Sequence, residues 1–315
     1  MATRHAPPRT VLCAVDFSPA SDRAAAYAYA LCRCLDAKLV LVHVVHSVVD
    51  YSDALAQSVA ASTGHALGSP RTLAAVWSGA AKERLKTMGE PLGASEDQRR
   101  VVVGPLVSSI LETAAEVEAD MIVVGARGRG FVDRFLLGST AERVVRVAPV
   151  PVTVVPDRRK APDDLVMPPR RILCGVGAAK TARFPASWGT ALARRLAADI
   201  ELLHVVPAPP PMLVEITENL DPGDLAHRAA QDARDWLVHL EEVLDYEGLS
   251  GGLTDGDAAE ELLATARDDG VDMIVVGART RHGLAGLLLG NTAMRVVRHA
   301  DVPVTVVRWK TARGE

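Results

Sequence analysis

The chain has 315 residues, 49% of them hydrophobic and 23% charged, and its formal net charge is −4. This length predicts about two domains, each large enough to bury a sizeable core. The weakly acidic balance excludes a basic field that would favour nucleic acid or an anionic membrane. No apolar run approaches the roughly 20 residues that span a bilayer, and the first residues lack the apolar core of a signal peptide. We therefore expect a soluble, cytoplasmic protein that binds neither nucleic acid nor membrane.

The first half of the chain alternates short Val-, Ile- and Leu-rich runs with helical patterns. The runs predict strands at residues 10–15, 38–45, 100–103, 121–124 and 152–155. Between them we predict helices at residues 20–35, 71–88, 105–118 and 141–147. Ser18 is the expected N-cap of the first helix, with Pro19 at its first position. The polar stretch at residues 50–69 predicts a loop or an irregular helix.

The second half repeats the pattern of the first. The octapeptide DMIVVGAR stands at residues 120–127 and again at residues 272–279. LVLVHVV at residues 39–45 corresponds to IELLHVV at residues 200–206, and the matches keep the same order throughout. The intervening run PDRRKAPDDLVMPP is rich in proline and charge, which is typical of a linker. We assign residues 1–157 to a first domain, 158–168 to a linker and 169–315 to a second domain.

Alternating strands and helices predict parallel sheets with right-handed crossovers. We therefore expect an α/β protein of two tandem doubly wound domains, each with a five-stranded parallel sheet in the order 3-2-1-4-5. Such sheets bind ligands beyond the carboxyl ends of the strands where the order reverses, here between strands 1 and 4. Strand 1 ends at Asp16 and strand 4 at Gly125, so both should face one crevice. The fifth strand reads VPVTVV in both halves, and we expect the halves to pair across it.

The segment GARGRGFVDRFLLGST, residues 125–140, follows the fourth strand. It lacks the lysine of GxxxxGK[ST], and it fails GxGxxG because Asp133 stands where the third glycine belongs. Glycines would let the main chain approach an anion, and a helix starting at Ser139 would direct its N–H groups to the same anion. Arg127 and Arg129 would add positive charge.

Structural explanations of the same residues remain open. Ser139 and Glu142 have the spacing of a capping box, which is sufficient to explain the serine. Glycines between a strand and a helix are common turn residues. An aspartate before Ser-Pro, such as Asp16, often only organises the turn into a helix.

Taken together, these motifs resemble those of a tandem universal stress protein, and the resemblance covers both halves. Its ATP-binding subgroup carries G-x2-G-x9-G-[S/T], which is matched at every fixed position by Gly125, Gly128, Gly138 and Ser139. The sequence Val15-Asp16-Phe17-Ser18 and the pair His43-Val44 match further family positions. The resemblance implies an adenine nucleotide alpha hydrolase-like fold that binds ATP with Mg²⁺. Ala14 departs from the pattern, because many relatives have glycine there.

The resemblance also implies roles for particular residues. Asp16 and Val44 would contact the ribose and adenine side, and residues 125–130 with Ser139 and Thr140 would hold the phosphates. The full set of expected binding residues is Ala14, Asp16, Val44, Gly125, Ala126, Arg127, Gly128, Arg129, Gly130, Gly138, Ser139 and Thr140.

The second half departs from this motif. Gly177 stands in place of Asp16, Thr280 in place of Gly128, and Asn291, itself a good helix cap, in place of Ser139. Its loop keeps the positive residues Arg279, Arg281 and His282. We expect one good nucleotide site, in the first half, and a second half that completes an internal pseudo-dimer. A homodimer formed by further pairing of two chains is a second expectation.

No motif points to a hydrolytic centre or a resident metal site. His43 and His204 are expected to be hydrogen-bonded in the sheet. The cysteines are expected to be buried small hydrophobes: Cys13, Cys32, Cys34 and Cys174. The leading hypothesis is an ATP-binding, stress-response regulator with at most slow hydrolysis. The alternatives are a slow ATPase or adenine-nucleotide hydrolase, a non-nucleotide interaction module, and a carrier of an apolar ligand.

Overall fold

The computed structural model describes residues 6–46, 70–128, 137–157, 167–177, 179–207, 222–279 and 290–309. In the first half, strands and helices alternate as β1 Thr10–Ala14, α1 Pro19–Leu35, β2 Lys38–His46, α2 Pro70–Gly89, β3 Arg99–Gly104, α3 Leu106–Glu116, β4 Met121–Gly125, α4 Ser139–Val147 and β5 Val152–Val155. Every predicted strand and helix of this half is present, with ends within two residues of the expected positions. The stretch at residues 50–69 lies outside the described residues.

The second half repeats this order: β6 Arg171–Val176, α5 Ala179–Leu196, β7 Asp199–Val206, α6 Pro222–Leu244, β8 Leu249–Asp255, α7 Ala258–Asp268, β9 Met273–Arg279, α8 Asn291–His299 and β10 Val304–Trp309. In the described ranges, no helix has the length and apolar character needed to cross a membrane.

The ten strands of the described residues form one sheet in the order β3-β2-β1-β4-β5-β10-β9-β6-β7-β8. Strands are parallel within each half and keep the order 3-2-1-4-5, as predicted. Strands β5 and β10 are antiparallel and join the halves, which confirms the expected pairing through VPVTVV. Thr153 and Thr305 stand opposite each other in this pair, and their fully buried hydroxyl oxygens are 2.6 Å apart.

The sheet is covered on both faces, so its central strands are apolar on both sides. Val11, Leu12 and Cys13 of β1 have no exposed surface. One apolar layer lies under α1, α2, α5 and α6, and the other under α3, α4, α7 and α8. Each layer contains residues from both halves, so the two repeats share their cores as well as their sheet.

Helix α1 begins as the sequence predicts. Ser18 is its N-cap, Pro19 its first residue, and the Ser18 and Ser21 hydroxyls cap each other's backbone N–H groups. One expectation about this helix is wrong: Cys34 is exposed, whereas Cys13, Cys32 and Cys174 are buried. Two residues along a helix turn the side chain by about 200°, so Cys34 faces away from the layer that buries Cys32.

Candidate functional site

A cleft of about 290 Å³ opens at the carboxyl ends of β1 and β4, where the strand order reverses. Its floor is built by the ends of these strands and its sides by the starts of α1 and α4 and by β2 and α3. The lining residues are Ala14, Val15, Asp16, Ser21, Val42, Val44, Leu106, Ile110, Val124, Gly125, Arg127, Gly128, Gly138, Ser139, Thr140 and Ala141.

The structure brings most of the expected binding residues to this cleft. Nine of the twelve line it: Ala14, Asp16, Val44, Gly125, Arg127, Gly128, Gly138, Ser139 and Thr140. Ala126 holds the loop by its backbone, because its N–H donates to Val155 and its carbonyl accepts from Gly138, both at 2.8 Å. Arg129 and Gly130 lie outside the described residues.

Gly128 lies directly against Asp16. A Cβ atom on Gly128 would stand 2.7 Å from the Oδ2 atom of Asp16, closer than carbon and oxygen can approach. The sequence suggested that this glycine leaves room for a ligand anion. The structure shows that it leaves room for a carboxylate of the protein itself.

Close backbone packing also explains the other two glycines of the motif. A Cβ on Gly125 would lie 2.9 Å from the carbonyl oxygen of Ala20 in the first turn of α1. A Cβ on Gly138 would lie 3.3 Å from the carbonyl oxygen of Ala126. The three glycines therefore let β4, the loop after it and the start of α4 pack tightly around the cleft.

Asp16 organises the turn into α1, which is the structural role that its place before Ser18 and Pro19 suggests. Its Oδ1 atom accepts a hydrogen bond of 3.0 Å from the backbone N–H of Ser18. This turn places Phe17 at a φ of 60°, a left-handed conformation that non-glycine residues rarely adopt. The same carboxylate lines the cleft, so the turn and the site share one side chain.

The start of α4 differs from the expected capping box. Gly138 is the N-cap and Ser139 the first helical residue, so no side chain at the cap position accepts a hydrogen bond from the first backbone N–H groups. Glu142 instead bonds the guanidinium groups of Arg146 and Arg298, at 2.7 and 3.1 Å. A glycine cap leaves the first N–H groups of α4 directed at the cleft, where the helix dipole favours an anion.

Arg127 brings positive charge to the cleft but shares it with a carboxylate. Its Nη1 atom lies 3.4 Å from Oδ2 of Asp157, and its side chain is only 13% exposed. Arg23 forms an ion pair with the other oxygen of Asp157. These three side chains together keep one net positive charge beside the cleft.

Apart from Val44, the residues of the apolar wall of the cleft were missed by the sequence analysis. Val42 and Val44 of β2 contribute to it, together with Leu106 and Ile110 of α3. The signal was available, because residues i and i+2 share a strand face and residues i and i+4 share a helix face. What the sequence could not show is that these two faces meet.

The two histidines take the structural role expected for them. The Nδ1 atom of His43 lies 2.8 Å from the carbonyl oxygen of Val15, and that of His204 lies 2.9 Å from Val176. The His43 ring also lies against Phe17, with ring centroids 4.4 Å apart.

In the second half, the residue at the position of Asp16 is Gly177, and a Cβ there would have no described atom within 4 Å. Leu262 packs so closely on Gly175 that a Cβ there would be 2.8 Å from its Cδ1. Gly290 is the N-cap of α8 and Asn291 its first residue, so Asn291 is not the cap that the sequence suggested. Thr280, Arg281 and His282 lie outside the described residues, as does the side chain of Arg279.

Within the described part of the chain, no three His, Cys, Asp or Glu side chains converge as they would around a resident metal ion. The site is therefore built from a carboxylate, a glycine-lined loop, a helix N-terminus and an apolar wall.

The chain is therefore a tandem α/β protein. Two repeated domains share one sheet, and the first carries a cleft formed by strand ends, a loop and a helix start. The model of the universal stress protein family matches residues 8–156 and 169–308. The chain belongs to the universal stress protein family, with two copies of its domain in tandem.

Individual relatives agree with this assignment. A universal stress protein of Mycolicibacterium smegmatis is 28% identical over 312 residues, which is 95% of this chain and 96% of the relative. Universal stress protein Rv2005c of Mycobacterium tuberculosis is 29% identical over 232 residues, 71% of this chain and 74% of the relative. A crystal structure of a universal stress protein from Archaeoglobus fulgidus matches the fold with a TM-score of 0.65 at 18% identity, covering 95% of this chain and 98% of that one.

Proposed function

We propose that the cleft of the first half binds ATP together with Mg²⁺, and that nucleotide occupancy is the signal of a stress-response regulator. The observation that carries the proposal is the division of the cleft into chemically different parts. An apolar wall stands on one side, and the N-terminus of α4, capped by Gly138, stands on the other. Asp16 lies between the end of β1 and the loop.

The residues fit the parts of an adenine nucleotide. Val42, Val44 and Ile110 would cover the base, and the carboxylate of Asp16 would accept hydrogen bonds from ribose hydroxyls. The phosphates would meet the first N–H groups of α4 with the hydroxyls of Ser139 and Thr140. Mg²⁺ would enter with the phosphates, because this ion keeps several water ligands and needs few from protein.

The remaining parts of the proposal concern the whole chain. We propose one nucleotide per chain, because the second half has lost the carboxylate and the loop glycine. We retain the domain boundaries 1–157 and 169–315, with the linker at 158–168, and a cytoplasmic location. Limited proteolysis of the purified chain, with cleavage expected first within 158–168, tests the boundaries.

Native mass spectrometry followed by calorimetric titration with ATP tests the site. Hydrogen bonds to charged phosphate contribute about 1.5–3 kcal/mol each, which after ordering costs suits a dissociation constant of about 1 μM. Gly138→Ala should weaken binding, because its Cβ would press on the Ala126 carbonyl. The matched variant Gly290→Ala, at the equivalent cap of α8, meets no described atom within 4 Å and should bind as the wild type does.

Three outcomes would contradict parts of the proposal. Absence of binding at millimolar ATP would remove the nucleotide function and favour an interaction module or an apolar-ligand carrier. Two equal sites per chain would contradict the asymmetry between the halves. Phosphate release faster than about one per second would indicate an enzyme, since that is the low end of typical turnover.

A further inference from the structure

Three arginines of the second half contact helices of the first half. Arg195 and Arg298 lie in α5 and α8, and Arg308 lies in β10. Their targets are α1 and α4, the two helices that begin at the cleft. We propose that Arg195, Arg298 and Arg308 are positioning residues with which the second half holds the nucleotide site of the first. This inference rests on the proposed function and gives the half without a complete motif a role in binding.

Arg308 holds the carboxyl end of α4. Its Nη2 atom donates to the carbonyl oxygen of Arg146, in the last turn of that helix. Its Nε atom is buried with no hydrogen-bond partner among the described residues, and burial lowers the pKa of the guanidinium. Burying a cation is costly, and the negative end of a helix dipole is one of the few environments that offset the cost.

Arg298 holds the same helix from the side. Its Nη2 atom lies 3.1 Å from Oε2 of Glu142, whose Oε1 bonds Arg146. Glu142 is the fourth residue of α4, one turn from the N–H groups that face the cleft. A sideways shift of α4 would therefore break this ion pair, and it would also displace the N–H groups that are proposed to bind phosphate.

Arg195 contacts the other helix of the cleft. Its Nη2 atom lies 3.4 Å from the carbonyl oxygen of Leu35, the last residue of α1. The first turn of α1 contributes Ser21 to the cleft and packs on Gly125. Helices α1 and α4 therefore both begin at the cleft, and the carboxyl end of each accepts a hydrogen bond from an arginine of the second half.

The arrangement is not reciprocal, although the halves are related by sequence. The first-half residues equivalent to Arg195 and Arg308 are Cys34 and Pro156, neither of which can supply a cation. Arg146, the equivalent of Arg298, turns back onto Glu142 of its own helix. The position equivalent to Glu142 in the second half is Met294, which cannot form an ion pair. The support therefore runs from the second half to the first.

Matched triple variants of the full chain test this inference by ATP titration. The first carries Arg195→Gln, Arg298→Gln and Arg308→Met. The control carries Arg194→Gln, Arg295→Gln and Arg171→Gln. Among the described residues, the side chains of these arginines donate hydrogen bonds within the second half, to Leu244 and Asp245, to Asp257 and Glu260, and to Asp269, respectively. We expect the first to weaken ATP binding about tenfold and the control less than about twofold, since remote positioning contacts modulate binding at that scale. Equal weakening by both, or by neither, would overturn the inference.

Hydrogen–deuterium exchange provides a readout that does not need the nucleotide. Without ligand, the backbone amides of α4 should exchange faster than in the wild type in the first triple variant. In the control variant their exchange rates should be unchanged. Arg298→Lys, which restores a cation opposite Glu142, should recover part of the protection in that background. If the wild type binds no ATP, the proposed function fails while the exchange experiment still decides the positioning. Unchanged exchange of α4 in the first variant would overturn it.

Discussion

The Oδ2 atom of Asp16 stands 2.7 Å from the point that a Cβ atom on Gly128 would occupy. A residue with a side chain at 128 is therefore incompatible with the observed position of this carboxylate. The second half has Gly177 and Thr280 at the two equivalent positions, so both members of the pair differ together. The aspartate and the glycine are best understood as one unit of the cleft.

Exchange of this unit should separate folding from binding. Gly128→Ala alone should destabilise the chain by about 0.5–1.5 kcal/mol, because the Asp16 carboxylate must move aside and weaken its hydrogen bond to the Ser18 N–H. The double variant Asp16→Ala, Gly128→Ala should cost less than the sum of the two single changes, since the carboxylate that the new Cβ displaces is then absent, and it should lose ATP binding. Urea unfolding and ATP titration measure the two effects. If the cost of the double variant equals the summed costs of Asp16→Ala and Gly128→Ala, the two positions are not coupled.

The junction of the two halves allows a cleaner test of a buried hydrogen bond. Thr153 and Thr305 pair across β5 and β10, and neither has exposed surface. Thr153→Val should cost about 1–3 kcal/mol, because it leaves the Thr305 hydroxyl without its partner. The double variant Thr153→Val, Thr305→Val should cost less than the sum of the two single changes, since both polar groups are then removed. Additive losses in urea unfolding would show that the hydroxyls do not depend on each other.

Glu142 should make stability depend on pH. Hydrogen bonds from Arg146 and then Arg298 hold the pKa of its carboxyl below the ordinary value. A lowered folded pKa contributes stability that is present above the unfolded value of about 4.3 and is lost as the pH falls through the folded value. The wild type should therefore lose more unfolding free energy than Glu142→Gln between about pH 6 and pH 3, by up to about 1 kcal/mol.

Urea unfolding at stepped pH measures this difference. Arg298→Gln should reduce the same dependence in part, because one of the two partners remains. In a Glu142→Gln background, it should change the dependence no further. Parallel curves for the wild type and Glu142→Gln would rule out this contribution.

The four cysteines should differ sharply in reactivity. Burial raises the pKa of Cys32 to about 12 and also raises the pKa of Cys13 and Cys174, whereas Cys34 is exposed. Only a thiolate reacts readily, so one thiol per native chain should react with a disulfide reagent and four in urea. Cys34→Ser should abolish the native reaction. Rapid labelling of a second thiol in the native chain would contradict the burial of the other three.

Much of the fold follows from local pattern. Buried parallel strands need apolar side chains on both faces, so runs such as VLCAV and MIVVG can be recognised as strands from the sequence. Ser18 and Pro19 mark the start of α1 because each satisfies a requirement of a helix N-terminus. The alternation of strands and helices then restricts the strand order, and the order places Asp16 and Gly125 at one cleft.

The errors come from residues whose neighbours are distant in sequence. Ser139 and Glu142 match a capping box, but Gly138 is the cap, and the Glu142 carboxylate bonds Arg146 in its own helix and Arg298, which is 156 residues further along. Cys34 looks like Cys32 until α1 is placed on the sheet and the exposed face of the helix is known.

The sequence by itself determined the repeated α/β fold, the strand order within each half and the place where the cleft opens. These depend on periodicity and connection rules that act over a few residues at a time. Only the tertiary structure decided what each side chain does there, because contact depends on the packing of segments far apart in the chain. It shows that the absence of a side chain at Gly128 makes room for the carboxylate of Asp16. It also shows that cations of the second half close the far ends of the helices that begin at the cleft of the first.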